Sequence, residues 1–203
     1  MPPDGLPPHV SFRGVVYRVT SYDVPLRVSA NRRAGRWNFA GSGTTQYACL
    51  DVEAPFAEML RHEDLRSEAE AATFRATLWQ LQVNEGVVID YSTFEKAERA
   101  GFPPKALVDD DHELCQREAQ RLDSLGAGGI LSPSAGLPDS TSLTLFGPRV
   151  PIAWDADVEI STAIPAQPLA TGAPPVSLVD RVRYFGQAHR ALDAYLAGRE
   201  ARP

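Results

Sequence analysis

A chain of 203 residues, 43% of them apolar and 23% charged, has the size and composition of one ordinary globular domain with a real core. Its formal net charge of −6 argues against bulk binding to nucleic acid or to an anionic membrane, both of which need a basic surface. Against that acidic average, Arg13, Arg18, Arg27, Arg32, Arg33 and Arg36 crowd the N-terminal part, as a solvated face or as a small pocket for an anion.

The opening segment, MPPDGLPPHV, reads as a loose Pro/Gly-rich arm without an apolar signal core, and no later stretch is long enough to span a bilayer. Cys49 and Cys115 stand far apart and form no CxxC pattern, so neither a metal site nor a disulfide framework is expected. A cytoplasmic, reduced protein is the expectation.

Val15-Val16-Tyr17-Arg18-Val19 predicts a first strand. Residues 21 to 45, with Asn31, Gly35, Gly41 and Gly43, have no period and read as a long shaped loop, the kind that tends to carry function. Gln46 to Leu50 predicts a short strand. Asp51 is placed to cap a helix with Pro55 in its first turn and Phe56, Met59 and Leu60 on its apolar face. Phe74–Val83 and Val87–Asp90 predict two further strands, and Asp109–Leu125 a helix with an acidic start. Ile130–Leu131 and Leu143–Phe146 complete the strands. Pro165 to Pro175 reads as a linker. Ser177-Leu178-Val179-Asp180 resembles a capping box opening a final helix, whose Leu178, Val182, Phe185, His189, Leu192 and Leu196 share one face. This mixture, without regular βαβ alternation, predicts an α+β fold.

Some apparent motifs carry no chemistry. Gly41-Ser42-Gly43 lacks the third glycine and the helix of a dinucleotide fingerprint. Asp109 to Glu113 reads as an acidic helix start rather than a metal site, and His62 and His112 lack ligand spacing. No nucleophile elbow is present.

Taken together, Tyr17-Arg18-Val19, Gly35-Arg36-Trp37-Asn38, Tyr47 and the helical Glu58 resemble the RES domain, named for its Arg, Glu and Ser. Ser132-Pro133-Ser134-Ala135 fits the segment that supplies the serine, and Leu143-Thr144-Leu145-Phe146 suits the strand beyond it. The resemblance runs from about Val16 to Phe146. It implies a mixed β-sheet core with flanking helices, similar to ADP-ribosyltransferases. It also implies a toxin that degrades NAD+ or transfers ADP-ribose to a protein, held inactive by an antitoxin of the Xre type. On this reading residues 1–164 form the RES domain, 165–175 a Pro-rich linker and 176–203 a C-terminal helical extension. A catalytically inactive binding module is the remaining alternative.

The residue types suit that chemistry. Breaking the nicotinamide–ribose bond of NAD+ passes through an oxocarbenium-like ribose. Arg18 and Arg36 are the candidates to grip the diphosphate, with Asn38 beside them in binding. Tyr47 supplies an aromatic wall for the nicotinamide. Glu58 supplies the carboxylate that stabilises developing positive charge. Ser134, or Ser132 in its place, would hydrogen-bond ribose or hold Glu58. No metal is called for, and water, phosphate or a protein would accept the ADP-ribose. Each residue also has an ordinary reading. Arg18 is then a surface charge, Trp37 and Tyr47 core, and Ser134 a turn residue. Glu58, about 200° around the helix from Phe56, is then on a solvated face. The final helix is expected to bury its stripe on its own domain, on the antitoxin or on a second copy of the chain.

Overall fold

The computed structural model describes residues 5–156 and 162–200. The fold is α+β, with a seven-stranded sheet in the order β1-β2-β5-β4-β3-β7-β6. The strands are β1 (His9–Thr20), β2 (Thr45–Cys49), β3 (Ala76–Asp90), β4 (Gly129–Pro133), β5 (Thr141–Phe146), β6 (Val150–Ile152) and β7 (Ala163–Gly172). The helices are α1 (Ala54–His62), α2 (Glu68–Ala71), α3 (Phe94–Arg99), α4 (Glu113–Ser124) and α5 (Arg190–Glu200), with 3-10 turns at Pro104–Leu107 and Val176–Arg181. Because β1 also pairs with β3, the strands β1, β2, β5, β4 and β3 close into a ring of pairings.

The long β3 organises the sheet. It runs antiparallel to β1 from Thr77 to Ile89 and antiparallel to β7 from Ala76 to Leu81. Its last residues, Val88 to Asp90, pair in parallel with β4, the return made through α3 and α4. Alternation along the strands sends side chains to two cores. Val88 and Leu131 join Val16, Leu143 and Leu145, while Ile89 and Ile130 join Leu107, Cys115 and Leu122 under the helices. A third cluster lies around α1, where Leu60 and Ala57 meet Leu178, Val182 and Tyr184.

Several expectations from the sequence are corrected. The arm ends early, since β1 begins at His9; residues 1–4 lie outside the described residues. Phe74–Val83 and Val87–Asp90 are one strand, because β1 pairs Arg13 with Asn84 and Phe12 with Glu85 and so holds the intervening turn-type residues extended. The helix expected from Asp109 begins at Glu113, because Asp109 Oδ1 accepts the N–H groups of Asp110 and Asp111 in a turn. Asp51 caps nothing: Glu53 stands at the N-cap of α1 without a side-chain bond, and Asp51 accepts from Ser140 Oγ at 2.6 Å. The stretch read as a linker is largely β7, an integral strand against β3. The single final helix is instead a 3-10 turn, an irregular segment with a turn at Phe185-Gly186, and the shorter α5. Leu178, Val182, His189 and Leu192 are buried as its stripe suggested, but Phe185 and Leu196 lie at the surface.

Candidate active site

One cavity of about 260 Å³ opens between β1, β2, α1 and the long loop. Its wall carries Arg18, Arg27, Arg36 and Arg61 but a single carboxylate, Glu58, so the local charge is opposite to that of the chain. Four of the five buried side-chain polar atoms without a partner among the described residues belong to its lining: Arg36 Nη2, Arg61 Nε, His112 Nε2 and Thr144 Oγ1. Buried polar groups are normally satisfied, so this concentration marks a place built for a polar ligand or ordered water.

Glu58 sits at the heart of the site. Its helix starts with Pro55 in the first turn and buries Phe56, Ala57 and Leu60, which turns Glu58 toward the cavity rather than the core. Ser134 Oγ and the Gly136 N–H both donate to Glu58 Oε1, at 2.7 and 2.8 Å. Burial alone would raise the carboxyl, but these bonds and the charges of Arg61 and Arg36 outweigh it and hold Glu58 below the ordinary carboxylate range. The site therefore presents an ionised carboxylate at neutral pH.

Arg18 projects from β1 and donates through Nη1 to Gln46 Oε1 at 3.2 Å. Gln46, almost fully buried, also takes the Arg27 N–H and returns its amide to the Arg27 carbonyl, so one side chain ties strand, loop and Arg18 together. Burial, reinforced by Arg27, lowers Arg18 to about 10, which leaves it charged. Arg36 spends Nη1 on the carbonyls of Ala106 and Asp109 and keeps Nη2 unpartnered.

Tyr47 borders the cavity with its ring, while its hydroxyl accepts from Trp37 N at 2.9 Å and donates to Asn38 Oδ1 at 2.7 Å. Gly35 permits this packing, since a Cβ there would stand 2.6 Å from the Tyr47 hydroxyl. Asn38 is thereby corrected as a binding residue. It is buried outside the cavity lining, and both of its amide donors go to the carbonyls of Arg33 and Phe39. Trp37 is a core residue that also touches the cavity, packed 6.1 Å from Phe102. Ser134 stands behind Glu58 and also accepts the Leu137 N–H, whereas Ser132 is on the lining itself.

Other groups of the site are not among the candidates drawn from the sequence. Arg61, 2% exposed, pairs with Asp110 at 2.5 Å, and Phe185 covers its guanidinium 4.0 Å from the ring centroid. Its signal was available: three residues after Glu58, it falls on the same helix face. His112 lines the cavity and is pushed down to about 4 by burial and by Arg36 and Arg61, so it is neutral at pH 7. Cys49 also faces the cavity, but burial, then Glu58, raises its thiol far above the ordinary value and keeps it protonated. No group of three or more His, Cys, Asp or Glu is gathered as a metal site among the described residues.

Fold and site thus define a cationic cleft arranged around one hydrogen-bonded, ionised carboxylate. Residues 15–170 match the RES domain, and the chain belongs to that family. The sequence matches no curated protein. Its fold is similar to one solved in the crystal structure of the M. tuberculosis MbcT–MbcA toxin–antitoxin complex, at 18% identity and a TM-score of 0.60, over 86% of this chain and 91% of that one. Among the described residues, no helix is long and apolar enough to cross a membrane.

Proposed function

We propose that this protein is a toxin that breaks the nicotinamide–ribose bond of NAD+, with water or phosphate taking the ADP-ribose. The observation that carries the reading is the ionised Glu58 in a cavity otherwise walled by arginines. NAD+ combines an anionic diphosphate with a ribose that becomes cationic as its bond to nicotinamide breaks. Arg18 and the free Nη2 of Arg36 suit the diphosphate. Glu58, held by Ser134 and Gly136, suits the oxocarbenium-like ribose, because a fixed carboxylate needs no reorganisation as charge develops. The Tyr47 ring offers the nicotinamide a flat wall. No residue need form a covalent intermediate, and no metal enters the scheme. Membership of the RES family supports the reading.

The same reading proposes a cytoplasmic toxin neutralised by an Xre-type antitoxin; the similar fold was solved in complex with an antitoxin. The test is incubation of the purified protein with NAD+, with and without phosphate, followed by chromatography. Nicotinamide should appear together with ADP-ribose or ADP-ribose-1″-phosphate. Glu58→Gln should stay folded and lose about a hundredfold or more of the rate. Near-normal turnover by that variant, or no turnover by the wild type, overturns the proposal. Expression without the antitoxin should halt bacterial growth as cellular NAD+ falls. Arrest with NAD+ unchanged would favour ADP-ribosylation of a protein instead.

A further inference from the structure

Residues Arg183 to His189 lie beyond the span that matches the family, yet they touch the site from behind at several points. The Arg183 N–H donates to the Gly136 carbonyl at 2.9 Å, and His189 Nε2 meets the Ser134 carbonyl at 3.0 Å. Ser134 and Gly136 are the two residues whose donors hold Glu58. The same segment grips Asp110, through Arg183 Nη1 at 2.9 Å and the Gly186 N–H at 2.7 Å. Asp110 in turn pairs with Arg61, and Phe185 closes over the Arg61 guanidinium.

We infer that Arg183–His189 is a positioning element for Glu58, in which Arg183 satisfies Asp110 so that the Arg61 charge acts on the Glu58 carboxylate. Asp110 Oδ1 is shared by Arg61 and Arg183. Without Arg183, the positive charge that offsets Asp110 is gone, and Glu58 loses positive potential. Without Asp110 as well, the opposing negative charge is also gone, and Arg61 acts on Glu58 unopposed. Arg61 and Arg183 are buried and poorly screened, which strengthens both effects, while the partly exposed Asp110 is screened more. The other titratable groups on the cavity wall are Arg18 on β1, Tyr47 and Cys49 on β2, Tyr22, Arg27 and Arg36 in the loop, His62 on α1 and His112 before α4; of these His112 also feels Asp110, so its own signal is followed alongside Glu58 in the Asp110→Asn variants. Arg183 is a positioning residue here, since it does not line the cavity.

The inference rests on the proposed reaction only in giving the Glu58 charge a purpose. Its test reads Glu58 on the free protein by carbon NMR with labelled glutamate, the signal assigned by its loss in Glu58→Gln. Failure of the wild type to consume NAD+ would be a separate result. Arg183→Met should move the Glu58 titration upward by about one pH unit. The double variant Arg183→Met with Asp110→Asn should bring it back to the wild-type position or lower. Simple loosening would instead break the Ser134 and Gly136 bonds to Glu58 in both variants and leave both raised. An unchanged titration in Arg183→Met, or a double variant that stays as high as the single one, overturns the inference. If Arg183→Met does not fold, Asp110→Asn alone decides. Its Asn oxygen can still accept the Gly186 N–H, and Glu58 should titrate no higher than in the wild type; a rise overturns the inference.

Discussion

Gly136 holds its backbone N–H 2.8 Å from Glu58 Oε1, in a space that a single methyl group would fill. A Cβ on residue 136 would stand 3.0 Å from the Glu58 carboxyl carbon and 3.2 Å from its Cα. Residue 136 is not in the left-handed region, so Gly136→Ala acts by displacement rather than by backbone strain. Small misplacements of a reacting group are costly, and NAD+ turnover should fall about tenfold or more while the thermal midpoint moves by only a few degrees. Parallel rate and melting measurements check this. Full activity would show that the carboxylate can shift without consequence.

Ser134→Ala removes one of the two donors to Glu58 Oε1 and leaves the Leu137 N–H without its acceptor. Glu58 lies below its ordinary value of 4.5 in the folded protein. A depressed carboxyl contributes stability that is fully present above the unfolded value and is lost as the pH falls through the folded value. With the Ser134 bond gone, the folded value rises. The acidic limb of the activity profile should then move upward by about one pH unit, and acid unfolding should begin at a higher pH. An acidic limb that coincides with the wild type would mean that Ser134 does not set the charge of Glu58.

Much of this was legible in the sequence, for identifiable reasons. Val16, Ile89, Ile130 and Leu143 lie in short runs of β-branched, aliphatic or aromatic residues, so the strands around them were visible. Arg18, Arg36, Tyr47 and Glu58 were found by their joint spacing, and they line one cavity. What stayed hidden depends on contacts between distant residues. Pro165, Pro168 and Gly172 look like linker composition, but β7 is an outer neighbour of β3, and there strand pairing overrides local propensity. Asn38 looked like a ligand contact because its role, accepting from Tyr47, exists only once the loop has folded back on β2. Asp110 and Arg183 are 73 residues apart in sequence, and no local pattern announces that they meet.

Tyr47→Phe should separate scaffold from substrate contact. The ring stays, but the Trp37 N–H and Asn38 Oδ1 both lose their buried partner. Leaving such groups unpaired costs about 1–3 kcal/mol, or a drop in thermal midpoint of about 2–10 °C for a chain of this size. The loop that carries Arg36 also loses one of its tethers to β2, the others being the Asn31–Thr45 and Arg27–Gln46 bonds. The KM for NAD+ should therefore rise more than kcat falls, and steady-state kinetics with a melting curve read both. A fall in kcat alone would assign the hydroxyl to the chemistry instead of the loop.

Truncation before Val176 tests where the C-terminal segment belongs. Leu178, Val179, Val182 and Tyr184 are buried against α1 and β3, and Leu192 enters the core under α3 and α4. Each fully buried large apolar side chain contributes about 1.5–3 kcal/mol, so removing the set should lower the thermal midpoint of the isolated protein by about 10 °C or more. A shorter truncation, before Arg190, removes only α5, with Leu192 and Tyr195 as its main contacts, and should cost much less. The large apolar residues that the intact segment leaves exposed are few: Val176 is 44% exposed, Phe185 36% and Leu196 39%, and Phe185 already covers Arg61. This favours burial on the chain's own domain over a stripe reserved for a partner. If the longer truncation melts like the full chain yet no longer binds the proposed antitoxin, the segment is a docking element and its packing here contributes little to stability.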